Sequence, residues 1–538
     1  MNQNKSFLDR GTLIALVVVM GFWLAWSKYM ESKYPQQTPQ QNAGSSAETV
    51  KTNDQESKPA ADSAATAGNT TSAANSGVQK EAAPSNETVI DFADEKMSFA
   101  VSSKGMGLKK IDVKTYTTRD GKPIVLSKFD GAASFATVSV QNNEPVNFAI
   151  ERLGANEFVG RGTDGAQKIE KHIKVDSENY RIFVETTLSG TVTGTAVQIV
   201  DELQPYTGGS IFAPRYDHQD FYVYYNDTDK RQIVDSAKGL NFTAENVSVL
   251  GLNDHYFATG ILDRSDIAPR FETNVPVGAK AVSGRLVYKP SSNVEMMTIK
   301  YEGFAGPKEL SVLRNIDDKF TRLIDYGMFK MIAKPLLGLL RILHGFVNNW
   351  GFAIILLTLI VRLLVMPFNV YSFKSMKAMQ KIQPEMKALR EKYKSDPTRM
   401  NQEVMGLMKR SKANPLGGCL PMLLQLPVFL ALFSSLSMSI ELYKAPFIFW
   451  IHDMSVKDPF YVLPVLMGIM MFIQQKITPT TMDPQQAKVM QFMPIVFAGM
   501  MLGLPSGLTL YIFVSTAFGI VQQYIFMRDR TPTQAATA

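Results

Sequence analysis

Residues 350–367 read WGFAIILLTLIVRLLVMP. The run is apolar apart from Thr358 and one charge, Arg362. Extended to 346–368, it has the length that a tilted helix needs to cross roughly 30 Å of hydrocarbon at about 1.5 Å per residue. An arginine inside a span costs roughly 2.5–3.5 kcal/mol on insertion scales, so by default it marks a functional site. A second account is open: Arg362 is close enough to Pro367 to snorkel to the near interface. The stretch alone does not choose between them.

The residues that follow fix its orientation. Between 369 and 418 lie eleven cations, Lys374, Lys377, Lys381, Lys387, Arg390, Lys392, Lys394, Arg399, Lys409, Arg410 and Lys412, against four acids, a net of +7 that equals the net charge of the whole chain. Such a loop stays in the cytosol. It also carries structure. Phe373, Met376, Met379, Ile382, Met386, Leu389 and Tyr393 trace a helical stripe, Asp396-Pro397 caps a second helix, and Met400, Val404, Leu407 and Met408 continue the pattern. The expectation is a basic helical hairpin. Its methionines form either an adaptable docking face or the hairpin's own seam.

Beyond the hairpin the chain is apolar again. Residues 419–440 are a span with Gln425 between Pro421 and Pro427. Gln425 faces either a polar interior or a hydrogen bond to a neighbouring helix. Residues 441–460 are a short exported loop with interfacial aromatics, and 461–477 cross back. Pro505-Ser506-Gly507 divides 488–503 from 508–527, a hairpin of two short spans, and 528–538 is a basic cytosolic tail.

Upstream, residues 1–34 are an apolar run behind Lys5 and Arg10, either a cleaved signal peptide or an uncleaved anchor. Residues 35–85 are rich in Gln, Ala, Ser, Thr and Pro and read as a flexible linker. Residues 86–310 alternate apolar and polar positions between turn signals, which predicts an exported all-β domain. Residues 311–345 carry Leu313, Ile316, Phe320, Leu323, Ile324 and Phe329 at helical spacing. They predict an amphipathic helix, lying along the membrane interface or packed against the β domain.

The 538 residues hold one cysteine, Cys419, so no disulfide staples the exported domain. A pI near 9.0 arises beside apolar runs, which points to membrane topology rather than to nucleic acid as a substrate. No phosphate-binding glycine loop or metal-ligand spacing is visible, and no cofactor is expected. Two acid–histidine pairs, Asp217-His218 and Asp254-His255, would suit a membrane-tethered periplasmic carbohydrate-active enzyme if they met in one pocket. A solute transporter or channel is the other alternative, but paired interrupted halves are not evident. Thr358 and Arg362 share one helix face. With Gln425 they would line a wet pocket that takes the polar tail of another polypeptide.

At this point the sequence resembles a family. LIVRLLVMPF (359–368), NPLGGCLPMLLQLPVFLALF (414–433), APFIFWIHDMS (445–455), DPFYVLPVLMG (458–468) and PSGLTLYIFVS (505–515) are similar, in order, to the YidC/Oxa/Alb membrane insertases, in the long Gram-negative form. The resemblance implies a mixed membrane protein of the inner membrane, with both termini cytosolic. A periplasmic β-supersandwich akin to sugar mutarotases would be joined to six transmembrane helices, five of them in the core. It implies a non-enzymatic insertase with a hydrophilic groove holding Arg362, Thr358 and Gln425. Substrate helices would slide along Pro421, Leu426, Pro427, Phe429 and Phe433. The docking hairpin would present Lys374, Lys377, Lys381, Lys387, Arg390, Arg399, Lys409 and Arg410. Its implied partners are nascent membrane proteins, the Sec translocon, the ribosome with the signal-recognition-particle pathway, and anionic lipid. One departure stands out: Tyr511 is followed by Ile512, where the family often has a second aromatic.

Overall fold

A computed structural model describes residues 87–204, 218–411, 420–478 and 484–527; in 420–424, 484–491 and 527 it describes the backbone alone. The expected anchor at 1–34, the linker at 35–85 and the tail at 528–538 lie outside these residues, as do Asp217 and Cys419.

From Val89 to Pro307 the described residues build three antiparallel sheets of four, five and nine strands. The alternation in the sequence is the cause. In Gln167–Asp176 and Arg181–Gly190 every second residue is buried, and the two strands pair in register from Gln167↔Gly190 to Asp176↔Arg181. The five- and nine-stranded sheets face each other across an apolar layer. Phe221 of one lies 5.3 Å from Phe271 of the other, and the Tyr288 hydroxyl crosses the gap to Asp263 Oδ1 at 2.9 Å. Gly121 (φ +78°) turns the chain between Gly107–Thr117 and Pro123–Leu126.

Residues 311–345 are not one interfacial helix. They form α1 (Leu310–Ile316), a 3-10 turn (Phe320–Leu323) and α2 (Lys330–Val347). Phe320 and Leu323 are fully buried against the nine-stranded sheet, where a Cβ on Gly260 would stand 2.8 Å from the Phe320 ring. The glycine leaves room that an aromatic side chain fills. Helix α2 buries Ala333, Leu337 and Leu340 and exposes Met331 and Phe346.

Six further helices follow among the described residues, the first of them a long one. Helix α3 (Trp350–Lys392) runs unbroken through Pro367 and Pro384, so the apolar stretch and the first arm of the hairpin are one rod. The others are α4 (Pro397–Arg410), α5 (Leu420–Met438), α6 (Val462–Ile477), α7 (Pro484–Met501) and α8 (Ser506–Met527). Helix α8 packs on α3 and α6, and α2 packs on α3 and α5. The bundle exposes Leu363, Leu364, Phe368, Val465, Ile495, Val496 and Ile525, an apolar exterior that water would disfavour and lipid would not. Helix α3 and the segment Ser506–Phe526 are long and apolar enough to cross a bilayer, while Gln425–Met438, Val462–Ile477 and Phe492–Met501 are shorter apolar helices.

Candidate functional site

The structure gives Thr358 and Arg362 different roles. Thr358 is fully buried, and its hydroxyl donates to the Ile354 carbonyl one turn back at 2.6 Å. It belongs to the packed interior of α3 rather than to an open lining. Arg362 is half-buried and reaches across to α8, where Nε donates to Ser515 Oγ at 2.8 Å. One turn further along α8 is Gly519, which presents bare backbone beneath the guanidinium. A Cβ there would lie 3.6 Å from both terminal nitrogens of Arg362 and 3.4 Å from Gln474 Nε2 of α6. Among the described residues Arg362 has no acidic partner.

Gln425 of α5 also meets α8, donating from Nε2 to the Tyr511 hydroxyl at 2.7 Å. Tyr511 is buried, and Ser515 lies one turn beyond it on the same face. One stripe of α8 therefore gathers the polar groups of α3 and α5. Sequence reasoning found Arg362 and Gln425 because each interrupts an apolar run. It missed Ser515 and Gly519, although the four-residue spacing of Tyr511, Ser515 and Gly519 is visible in the sequence.

The expected slide on α5 is graded in exposure. Leu426 is exposed, Pro427 and Phe429 are half-buried, and Phe433 is buried with its ring 6.0 Å from that of Phe429. Pro421 lies in the helix, with its side chain outside the described atoms.

On the hairpin, Lys374, Lys381, Lys387, Arg399, Lys409 and Arg410 are exposed, and Lys377 and Arg390 are half-buried. The methionine stripe is the hairpin's own seam. Met379, Ile382 and Met386 of α3 bury against Val404 and Leu407 of α4, and Phe373 stacks on Phe526 of α8 at 6.1 Å. A stripe already filled by its partner helix offers no open docking face.

The histidine pair at 254–255 is committed to structure. His255 Nε2 donates to the Ser437 carbonyl at 2.8 Å and its ring stacks on Tyr256, while Asp254 accepts from Gln204 at 3.0 Å.

The sequence matches the family described as YidC periplasmic domain over residues 89–339 and that described as 60Kd inner membrane protein over 342–534. It is 34% identical to the membrane protein insertase YidC of Cupriavidus necator, over 83% of this chain and 84% of the relative. To that of Cupriavidus pinatubonensis it is 34% identical over 95% of both. A crystal structure of an active YidC insertase with its first transmembrane domain resolved aligns with 81% of this chain and 94% of its own, at 18% identity and a TM-score of 0.38. Extended similarity to the curated insertases spans both the β domain and the helical bundle, and the chain belongs to the YidC family of membrane protein insertases.

Proposed function

We propose that this inner-membrane insertase works by a charge-baited groove between α3, α5, α6 and α8. The hairpin of α3 and α4 lies in the cytosol and meets the nascent chain, delivered by the ribosome and the signal-recognition-particle pathway, with its cations also resting on anionic lipid. Five spans form the core, a sixth at the N-terminus anchors it, and both termini are cytosolic. The polar tail of the substrate enters the groove, and its apolar segment leaves along the exposed side of α5 and the part of α7 after Pro494, either alone or beside the Sec translocon.

One observation carries this reading. Arg362 is held by a neutral hydroxyl, above bare backbone, with no counter-ion among the described residues. An uncompensated guanidinium in a low-dielectric bundle attracts a carboxylate far more strongly than water would allow. The test is insertion of a single-span substrate into proteoliposomes, with an acidic or an uncharged tail. Arg362→Gln is expected to slow the acidic-tailed substrate about tenfold, the loss of one charge-assisted contact. Equal insertion of that substrate by Arg362→Gln and Arg362→Ala at the native rate would remove the charge from the mechanism.

A further inference from the structure

The contact between α3 and α8 repeats. Arg362 meets Ser515, and seven residues along both helices Asn369 meets Gln522, with Asn369 Nδ2 donating to Gln522 Oε1 at 3.4 Å. The two helices run parallel, so these are two rungs about 10 Å apart along one seam. Between them on α8 stands Gly519, where a Cβ would meet Gln474 Nε2 at 3.4 Å and the Arg362 guanidinium at 3.6 Å. The second rung is unusual in its hydrogen bonding. Gln522 is 4% exposed and Asn369 3%, yet the Gln522 Nε2 donor is buried with no acceptor among the described residues. Buried amides normally spend their donors, and inside an apolar bundle no bulk water does so for them. Leucine would fill the same space without that penalty. The only bond across the rung is long for an amide pair, so little is lost when it opens.

We propose that the Asn369–Gln522 rung is a second, uncharged binding station for the inserting polypeptide, taking peptide amide groups of its polar tail. The donor without an acceptor on Gln522 matches a main-chain carbonyl, and the Asn369 amide can accept from a main-chain N–H. Every polypeptide carries these groups whatever its charge. The station therefore holds tails that Arg362 does not favour, and it hands acidic ones on toward Arg362. This inference rests on the groove proposed above.

The test compares Asn369→Leu, Gln522→Leu and Arg362→Gln in proteoliposomes, each with an acidic-tailed and a Ser/Asn-tailed single-span substrate. Both leucine variants are expected to slow both substrates by a similar factor, about five to ten, as the loss of one hydrogen-bonding partner would. Arg362→Gln is expected to slow the acidic tail more than the uncharged one. Leucine variants that accumulate normally and insert both substrates at the native rate overturn the proposal and leave the rung as helix packing. If the leucine variants do not accumulate, a photo-reactive residue at 522 decides: adducts with the tail of a stalled nascent chain support the station, and their absence overturns it. Slowed leucine variants beside an Arg362→Gln that does not discriminate would sink the charge-baited groove and leave the amide station standing.

Discussion

Lys171 shows what a single residue does in the β domain. It is fully buried, and its ammonium donates to the Phe135 carbonyl at 2.6 Å and the Gly105 carbonyl at 3.1 Å. Burial pushes its pKa down to about 7. The unfolded chain holds that proton to about 10.4, so the folded state binds it less tightly. The penalty is therefore complete below pH about 7 and fades as pH rises toward 10.4. Relative to Lys171→Met, the native chain is expected to gain on the order of 1–2 kcal/mol of stability between pH 7 and pH 9, read as diverging thermal unfolding curves by circular dichroism. Parallel curves would show that the two carbonyls offset the burial fully. Strand alternation places residue 171 on the inward face, but nothing in the sequence reveals the two carbonyls waiting there. The same limit applies in the bundle. Arg362 and Gln425 are legible because polar groups in apolar runs stand out. Ser515 and Gly519 are not, because small and hydroxyl residues are ordinary in spans and gain meaning only from what crosses to meet them.

At the scale of elements, a change of polarity along the sequence does not end a helix. The sequence turns from apolar to basic near Phe368, and α3 continues for 24 residues to Lys392 because its buried stripe keeps one phase, from Asn369 through Phe373, Met376, Met379, Ile382 and Met386. At 311–345 a continuous spacing does not make a continuous helix. The helical spacing of Phe320 and Leu323 was real, but Gly251 and Gly260 had left a bare patch on the sheet, and the chain broke its helix to fill it. The period of a pattern predicts a face, while the partner of that face is set by distant residues. For the hairpin the partner is α4. Met386, 2% exposed, lies in the seam with Val404 and Leu407. Met386→Ala is expected to cost about 2–3 kcal/mol locally, toward the low end for buried methionine because the hairpin can relax. Amide hydrogen exchange within α4 would then speed up by roughly a hundredfold, while Lys387→Gln, on the exposed face, leaves it within a few-fold. Equal effects from the two would return the methionines to the role of a free docking face.

At the scale of the molecule, the β domain is fastened to the bundle through residues that no local pattern joins. The turn after Gly107–Thr117 reaches the loop that follows α5. The Tyr443 hydroxyl donates to the Thr117 carbonyl at 2.9 Å, and Lys444 Nζ to the Thr117 hydroxyl at 2.5 Å. Arg119 lies 3.5 Å from Asp453 and 5.4 Å above the Tyr443 ring, which also meets Tyr256 at 5.2 Å. His255 adds its bond to the end of α5. Half of the Arg119 side chain is exposed, so its ion pair alone is worth little. The aromatic cluster is the stronger tie, since Tyr443 combines apolar burial, a cation–π contact and a backbone hydrogen bond. Tyr443→Ala is therefore expected to loosen the domain on the bundle, and Arg119→Ala much less. Paired spin labels, one on Arg161 of the β domain and one on Val465 of α6, would report a broadened distance distribution for Tyr443→Ala and a near-native one for Arg119→Ala. If insertion into proteoliposomes stays at the native rate while that distribution broadens, the fastening holds the two parts together without serving the groove. If both fall together, the β domain sets the position of the loop that closes the outer end of α5 and α6. An unchanged distribution in Tyr443→Ala would assign the fastening to His255 and the 3-10 turn at Phe320–Leu323 instead.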